Sequence, residues 1–271
     1  MQTTPRYLLL ALAISSCAPS APPPAASGPA GTSLTAAQRA SIGRMIWKNE
    51  SGGTIDGLTA WNAGEEFPSL GIGHFIWYPA GFNGRFFETW PAFVRFATEQ
   101  GATVPAVGRQ PDCPWPTRDA FFRDFQGAEL TGLRNWLAAQ VTLQTDFIIA
   151  RSQGALPKVL AAAPAGDRSR VDANYRKVAS TPNGTYALID YVNFKGDGTN
   201  SSERYNGQGW GLLQVLQEMR EVPAGQPAAA EFAAAAKRRL DLRISNSPTA
   251  RGESRWTSGW HNRCDTYARA L

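Results

Sequence analysis

A run of apolar residues at helical spacing opens the part of the chain that is rich enough in hydrophobic side chains to fold. Thr35 and Gln38 form a capping-box pattern at its start, and SGG at 51–53 ends it. The apolar positions between them follow the helical period: Ala37, Ile42, Met45 and Ile46. The pattern therefore predicts a first helix with Glu50 in or just beyond its last turn.

The pattern changes between residues 54 and 78. Single glycines interrupt it, and FIWY at 75–78 supplies strand-forming residues, which predicts a small sheet or hairpin. Helical spacing then returns, and further helices are predicted at 88–100, 117–126, 128–153, 166–179, 184–194, 203–220 and 228–244. The aromatic and basic C-terminus is expected to pack back onto the body. Together these elements predict one α+β domain over residues 34–271, predominantly α-helical.

The first 33 residues have a different character. Arg6 precedes an apolar run at 7–14, which is too short to span a bilayer, since spanning takes about 20 helical residues, but suits an export signal. ISSC at 14–17 resembles a bacterial lipoprotein cleavage box, which implies a signal peptide at 1–16 and a lipid on Cys17. The alternative is an ordinary signal peptide cut near Ala18 or Ala21.

Residues 17–33 are nearly all Ala, Pro, Ser, Gly and Thr, a composition that forms an extended linker rather than a core. With the lipoprotein box, this predicts an exported protein held at a membrane and facing the periplasm. Ala18 after Cys17 resembles outer-membrane sorting rather than inner-membrane retention.

Charge and aromatic content narrow the possible partners. Lys and Arg number 27 against 22 Asp and Glu, and the basic residues are spread along the chain, so nucleic acid is not an expected partner. Nine Trp and thirteen Phe are compatible with an aromatic core or with a groove whose rings stack on sugars or bases.

The cysteines and histidines bear on redox state and metals. Cys113 and Cys264 remain after Cys17, and export favours a disulfide between them; two free or buried thiols are the alternative. His74 and His261 lack the spacing of paired metal ligands, so no metal is expected. The nucleophile-elbow, phosphate-loop, zinc-protease and dinucleotide motifs are also missing from the sequence, so no cofactor is expected.

Glu50 is the main candidate for chemistry. The C-terminal end of a helix carries negative partial charge, and Trp47 or Trp61 nearby would desolvate the carboxyl group. Both effects raise the pKa of a carboxyl group, and a protonated carboxyl group is what general acid catalysis of glycoside cleavage requires. A second carboxylate usually faces the first, and three residues remain open for it: Asp56, Glu65 and Glu66.

The order of features around Glu50 resembles the active-site region of phage-type lysozymes, in the lysozyme-like superfamily. These features are a glutamate at the end of the first helix, a hairpin and then SLGIGH at 69–74. The resemblance implies a lysozyme-like fold in which Glu50 is the general acid, Ser69 supplies the hydroxyl that holds water or the reactive sugar face, and Glu65 assists. It also implies that His74 is a structural anchor. Gly71 and Gly73 would let the hairpin bend and let substrate approach the backbone.

GWGLLQVL at 209–216 is similar to a motif of goose-type lysozymes and lytic transglycosylases, and the pair Glu50-Ser51 fits the same branch. That resemblance implies that Gln214 lines a saccharide groove.

The Gly-rich segment 193–211 is either a sugar-binding loop or a surface loop with glycine turns. As a binding loop it would present polar and aromatic side chains to a sugar or to a muramyl carboxylate, and Glu66 would contribute from the hairpin. The loop candidates are Asn193, Lys195, Glu203, Arg204, Tyr205, Gln208 and Trp210.

These features predict an exported enzyme that cleaves the glycan strands of peptidoglycan, either a muramidase or a lytic transglycosylase, with no cofactor. One alternative is a non-catalytic envelope lipoprotein that binds glycan or partner proteins. Another is an enzyme acting on a related amino-sugar polymer such as chitosan or chitin.

Overall fold

The computed structural model describes residues 34–84 and 86–271. The predicted signal peptide, the lipid site at Cys17 and the linker at 17–33 lie outside these residues. Within the described ranges, none of the helices combines the length and the apolar character that crossing a membrane requires.

The first helix, α1, runs Ala36–Ser51, as its sequence pattern predicts. Thr35 and Gln38 exchange the two hydrogen bonds of the capping box, at 2.8 and 3.2 Å. Ile42 and Ile46 are fully buried, which explains the helical spacing of the apolar positions. Glu50 therefore lies in the last turn of α1.

A small antiparallel sheet follows, with strands β1 (Thr59–Ala60), β2 (Ser69–Leu70) and β3 (Phe75–Ile76) in that spatial order. The tight turn between β2 and β3 is attached to the helical body by the Gln144 side chain, whose Oε1 accepts a hydrogen bond from Ile72 N at 2.9 Å. The sheet predicted within 54–78 is thus confirmed, and its last turn has a fixed position relative to the helices.

The rest of the described chain is mainly helical, which confirms an α+β fold that is predominantly α-helical. A two-stranded hairpin interrupts the helices, formed by β4 (Arg204–Tyr205) and β5 (Gln208–Gly209). The remaining α-helices are α2 (Trp90–Glu99), α3 (Arg118–Arg123), α4 (Ala128–Ala139), α5 (Val141–Gln153), α6 (Ala155–Ala162), α7 (Arg168–Val178), α8 (Pro182–Lys195), α9 (Leu212–Glu218), α10 (Gln226–Asn246) and α11 (Thr257–Tyr267).

Two predicted helices had the wrong extent, and helix α6 was not predicted. The helix predicted at 203–220 begins only at Leu212, because Asn206 and Gly207 adopt positive φ angles of 49° and 73° and turn the chain back as a hairpin. The helix predicted at 128–153 is two helices, broken at Gln140, whose φ and ψ are −108° and 28°. Helix α6 was missed because Pro157 lies in its first turn, where proline is tolerated.

One hydrophobic cluster connects both halves of the described chain, from Ile42 to Tyr267. Aromatic side chains dominate its centre, where Phe93 contacts the rings of Phe75, Trp90 and Phe147. Many of the Trp and Phe side chains thus belong to the core. The C-terminal segment packs back, as expected, and buries Tyr267 of α11.

The predicted disulfide is absent, and Cys113 and Cys264 are both free, buried thiols. Cys113 lies in a loop beside the sheet, where its backbone N–H donates to Tyr78 O at 2.9 Å. Cys264 belongs to α11 and lies among the helices near Asp190 and Lys237. The two thiols therefore occupy different parts of the core, and the prediction failed because the C-terminus packs on α8 and α10 rather than against the loop that holds Cys113.

Candidate functional site

The Glu50 carboxylate lies where the first helix, helix α8 and the last helix meet. Its side chain is 13% exposed. Asn193 Nδ2 donates to Glu50 Oε1 at 3.1 Å, and Arg263 Nη2 donates to the same oxygen at 2.7 Å. His74 Nδ1 lies 3.5 Å from the other oxygen, Oε2. Four segments far apart in sequence therefore meet at this carboxylate.

Arg263 is shared between two carboxylates. Besides Glu50, it contacts Asp190, which accepts from Nε at 2.8 Å and from Nη2 at 2.9 Å. Asp190 is fully buried and also accepts from the Tyr267 hydroxyl at 2.6 Å. Two carboxylates and one guanidinium carry a net charge of −1, so the counter-charge that Glu50 receives from Arg263 is incomplete.

The predicted rise in the pKa of Glu50 is not what the structure gives. Burial raises the pKa of Glu50, as expected, but Arg263, His74 and Lys195 act in the opposite direction and leave the pKa below its usual value. The expectation failed because Arg263 comes from a C-terminal segment whose position the sequence did not reveal. In the free protein Glu50 is therefore an ionised carboxylate.

His74 lies on the turn between β2 and β3 with a φ of 49°, in the left-handed region that few non-glycine residues adopt. Its backbone N–H donates to Gly71 O at 3.3 Å, so the turn itself is hydrogen-bonded. Its Nε2 is buried with no hydrogen-bond partner among the described residues. His74 thus packs against Glu50 with one ring nitrogen unsatisfied.

A cleft of about 780 Å³ opens beside Glu50. Seven of the residues predicted for the site line it: Gly73, His74, Asn193, Lys195, Glu203, Tyr205 and Trp210. Glu50 itself lies behind His74 and Asn193. Aromatic side chains form much of the rest of the wall, including Phe86, Phe87 and Phe194.

The charged residues that line this cleft are mostly basic. Two are acidic, Asp197 and Glu203, and five are basic: Arg151, Lys158, Lys195, Arg243 and Arg251. Aromatic faces with an excess of positive charge suit a ligand that has flat apolar surfaces and carries negative charge.

Tyr205 and Trp210 form an aromatic pair at the cleft, with ring centroids 4.8 Å apart. Arg243 lies over the Trp210 ring at 4.2 Å and is paired with the buried Glu253 at 2.8 Å. The Tyr205 hydroxyl donates to Glu253 at 2.9 Å, and Arg251 contacts the same carboxylate. The hairpin that carries Tyr205 is thereby fixed against α10 and the segment that precedes α11.

Gln214 does not line the cleft, which corrects the prediction that it contacts saccharide. Its Oε1 accepts from Gly211 N at 3.0 Å and its Nε2 donates to Gly198 O at 3.0 Å. Both ends of the amide are thus used to hold the loop between α8 and α9. Gln214 supports the cleft wall from behind, because Trp210 lies on that loop.

Glu65 and Glu66 line a second, neighbouring cleft of about 670 Å³. The two clefts share Phe86 and Arg251, so they are parts of one longer groove. Desolvation raises the pKa of Glu65, although hydrogen bonding by Asn62 and the charge of His74 lower it. Within the described ranges, neither Glu65 nor Glu66 contacts Glu50.

Ser69, Gly71 and Gly73 are structural in their observed positions. Ser69 is buried in the central strand, where its neighbours in register are Ala60 and Ile76. Gly71 has a φ of 72°, and a Cβ there would lie 2.2 Å from Gln144 Oε1. The assignment of the Ser69 hydroxyl to the reacting water or sugar therefore has no support in the free protein, because the side chain is 5% exposed.

Sequence reasoning missed Asp190, Arg263 and Glu253, which organise the charges of the site. Asp190 had a signal, since it is the one charged residue within the apolar run YALIDYVNF of α8. An isolated acid in an apolar helix requires a buried cation as its partner. Within the described ranges, no group of three or more His, Cys, Asp or Glu side chains is placed to hold a metal ion.

No protein-family model, curated protein or solved structure matches the chain. The likeness to lysozymes therefore rests on the motif residues around Glu50 and the 209–216 segment.

Proposed function

We propose that the protein cleaves the glycan strands of peptidoglycan or of a related amino-sugar polymer, and that Glu50 is the reacting carboxyl group. The observation that carries the proposal is the position of Glu50: it is a helix-terminal, nearly buried carboxylate joined directly to two cleft-lining side chains, Asn193 and His74. The export signal and lipid anchor predicted from the sequence are consistent with a substrate in the cell envelope.

The charge balance around Glu50 supports its use as an acid once substrate is bound. Asp190 and Glu50 share Arg263, so a proton on Glu50 would make this trio neutral. Desolvation is the largest single influence on Glu50 and raises its pKa. A saccharide that covers the cleft removes more water from the carboxylate, and we expect it to shift Glu50 towards the protonated form.

The second carboxylate decides the type of reaction. Glu65 lies in the adjoining part of the groove and has a raised pKa, but it does not contact Glu50. If Glu65 activates water when substrate is bound, the products carry reducing ends. If Glu50 acts alone, the sugar's own hydroxyl attacks and the products carry 1,6-anhydro ends, as with lytic transglycosylases.

A second candidate function is glycan binding without cleavage. The 2.7 Å contact between Arg263 and Glu50 favours it, because an arginine that close keeps the carboxylate ionised in the free protein. In this case the groove would serve as a docking surface for the same polymer.

Digestion of purified peptidoglycan by the full-length chain tests the proposal, with products separated and identified by mass. We expect released glycan fragments, and we expect Glu50→Gln to reduce their rate of release by about a hundredfold or more, the scale of a general acid's contribution. Chitotetraose serves as a parallel substrate that reveals activity on chitin-type polymers.

Glu99→Gln is the matched control, because Glu99 is an exposed carboxylate at the end of α2 and does not line either cleft. It should digest peptidoglycan at the rate of the unmodified protein. If Glu50→Gln also retains the full rate, the assignment of Glu50 is wrong. If neither the unmodified protein nor Glu50→Gln releases product, yet both sediment with the polymer, the binding function replaces the enzymatic one.

A further inference from the structure

Lys195 occupies an unusual position at the end of α8. Its Nζ lies 3.6 Å from the ring centroid of Trp260 and 3.9 Å from that of Phe194. The side chain is only partly exposed and lines the larger cleft. Across the described parts of the chain, no carboxylate oxygen lies within 4.0 Å of this nitrogen.

The arginines near Lys195 each have a carboxylate partner. Arg263, from α11, is paired with Glu50 and Asp190, whereas Arg243, from α10, and Arg251 are paired with Glu253. Two further carboxylates that line the cleft, Asp197 and Glu203, lie more than 4.0 Å from the Lys195 nitrogen. Among Arg263, Arg243, Arg251 and Lys195, Lys195 is therefore the cation that faces the cleft without a carboxylate partner in the described ranges.

The surroundings of Lys195 disfavour its protonated form. Burial lowers the pKa of Lys195 well below its usual value, and Arg243 and Arg263 lower it further. Glu253 and Glu50 oppose these effects but do not offset them. The thiol of Cys264 also lies within electrostatic range of Lys195, but burial raises its pKa to about 12, so it is uncharged at neutral pH.

We propose that Lys195 is the anion subsite of the cleft: it receives a carboxylate of an acidic amino-sugar ligand and takes up a proton as that carboxylate binds. The subsite rests on the proposed function, because the ligand is a glycan in the same cleft. It gives that function a substrate preference for carboxylate-bearing glycans, such as those that contain muramic acid, over neutral chitin-type glycans.

The pH dependence follows from the proton uptake. A bound carboxylate stabilises the ammonium form, so the pKa of Lys195 is higher in the complex than in the free protein. Affinity for the acidic ligand is then greatest at low pH and falls as the pH rises from the pKa of the free protein to that of the complex. Affinity for a neutral ligand does not follow this curve.

Isothermal titration calorimetry tests the subsite with two tetrasaccharides. One alternates N-acetylglucosamine with N-acetylmuramic acid and carries free lactyl carboxylates, and the other is chitotetraose, which has none. The full-length Glu50→Gln protein is used, so that cleavage does not disturb the titration. Titrations in two buffers of different ionisation enthalpy give the number of protons taken up.

We expect the acidic tetrasaccharide to bind about tenfold more tightly than chitotetraose or better, consistent with one added charge-assisted hydrogen bond, and to take up protons. Introducing Lys195→Met into this protein should remove both effects, because methionine carries no charge and binds no proton. Methionine keeps the apolar contacts with the two rings, so the fold should be preserved. Lys195→Arg should keep the preference and lose the proton uptake, because a guanidinium stays protonated.

Lys48→Met is the control for general charge, because Lys48 is an exposed lysine on α1 that lines neither cleft. It should keep both the preference and the proton uptake. A third tetrasaccharide carries stem peptides, so its lactyl groups are amide-linked and its free carboxylates belong to the peptides. If this ligand binds more tightly than the peptide-free one, the subsite receives a peptide carboxylate. If the peptide-free ligand binds more tightly, the subsite receives the lactyl carboxylate.

Equal affinity for the acidic and neutral ligands overturns the subsite, and so does a preference that survives Lys195→Met. Failure of the glycan-cleaving function gives a different result, namely intact binding with no digestion of peptidoglycan by the unmodified protein.

Discussion

Glu50 and Asp190 compete for one buried guanidinium, and this competition sets the properties of the site. Arg263 makes two contacts with Asp190 and one with Glu50, so Asp190 is the better satisfied of the two carboxylates. Of these two carboxylates, Glu50 is the one that lies beside the cleft. A ligand can therefore alter the protonation of Glu50 while Asp190 keeps Arg263 in place.

The pH dependence of stability tests whether Glu50 is ionised. A carboxylate whose pKa is lower in the folded state than in the unfolded state stabilises the fold at pH values above its unfolded pKa, which for glutamate is about 4.5. This stabilisation disappears as the pH falls through the lowered, folded pKa. We expect Glu50→Gln to reduce the free energy of unfolding at pH 7 by about 1 to 3 kcal/mol, the range for hydrogen bonds to charged groups.

Denaturant unfolding of both proteins between pH 7 and pH 3 measures this difference, which should shrink below about pH 4.5. Taking the difference between the two proteins cancels the titration of groups on which Glu50 has no electrostatic effect. A Glu50→Gln protein that is more stable than the original at pH 7 would contradict an ionised, arginine-paired Glu50.

At the scale of elements, the turn between β2 and β3 determines where His74 lies relative to Glu50. Gln144 of α5 is fully buried, accepts from Ile72 N and donates to Leu137 O at 2.7 Å. The turn is therefore attached to two helices through one amide side chain. Gly71 makes this possible, since its missing Cβ leaves room for the Gln144 oxygen.

Substitution of Gly71 by alanine tests this attachment. The φ of 72° disfavours alanine by about 1 to 2 kcal/mol, and the new Cβ would lie 2.2 Å from Gln144 Oε1. We expect Gly71→Ala to lower the free energy of unfolding by more than the backbone effect alone, about 3 kcal/mol or more. Thermal or denaturant unfolding measures the loss.

Gly52→Ala separates the two causes. Gly52 has a similar φ of 65°, but no atom lies within 4 Å of the position of its Cβ. Its substitution should cost only the backbone effect. Equal losses in the two variants would show that the contact with Gln144 contributes nothing.

The elements that could be predicted from sequence are those whose signals are local. The capping box of α1 and its buried face belong to this class, and both are present. The β4–β5 hairpin also has a local signal, because Asn-Gly at 206–207 is a strong two-residue hairpin signal, and the helix predicted at 203–220 is wrong at this point.

The parts of the site that could not be predicted depend on distant segments. The location of Glu50 at a helix end was local and correct, but its charge state is set by Arg263, 213 positions away. Gln214 shows the same limit, since a motif match indicated saccharide contact whereas the packed loop uses both ends of its amide. Without tertiary contacts, the sequence identifies reactive residue types but not their partners.

At the scale of the whole molecule, the two thiols of the described chain are sealed inside different parts of one core. Cys113 and Cys264 are 4% and 0% exposed, and burial raises the pKa of each thiol to about 12. A thiol in this state has almost no thiolate at neutral pH and reacts slowly with electrophiles.

We therefore expect neither Cys113 nor Cys264 to react with an alkylating reagent at pH 7 while the protein is folded. Both should react completely in denaturant without added reductant. Peptide mass spectrometry after labelling measures each site separately. A peptide pair joined by a disulfide would contradict this expectation and restore the disulfide predicted from export.

The meeting of α1 with α11 at Glu50 has a consequence for biosynthesis. The carboxylate is made before its arginine, which follows 213 positions later, so the site can assemble only after Arg263 has been synthesised. Contacts of such long sequence separation also slow folding, because a large loop must close before they form. A nascent chain that has not yet reached Arg263 therefore has no finished site around Glu50, even when α1 has already formed.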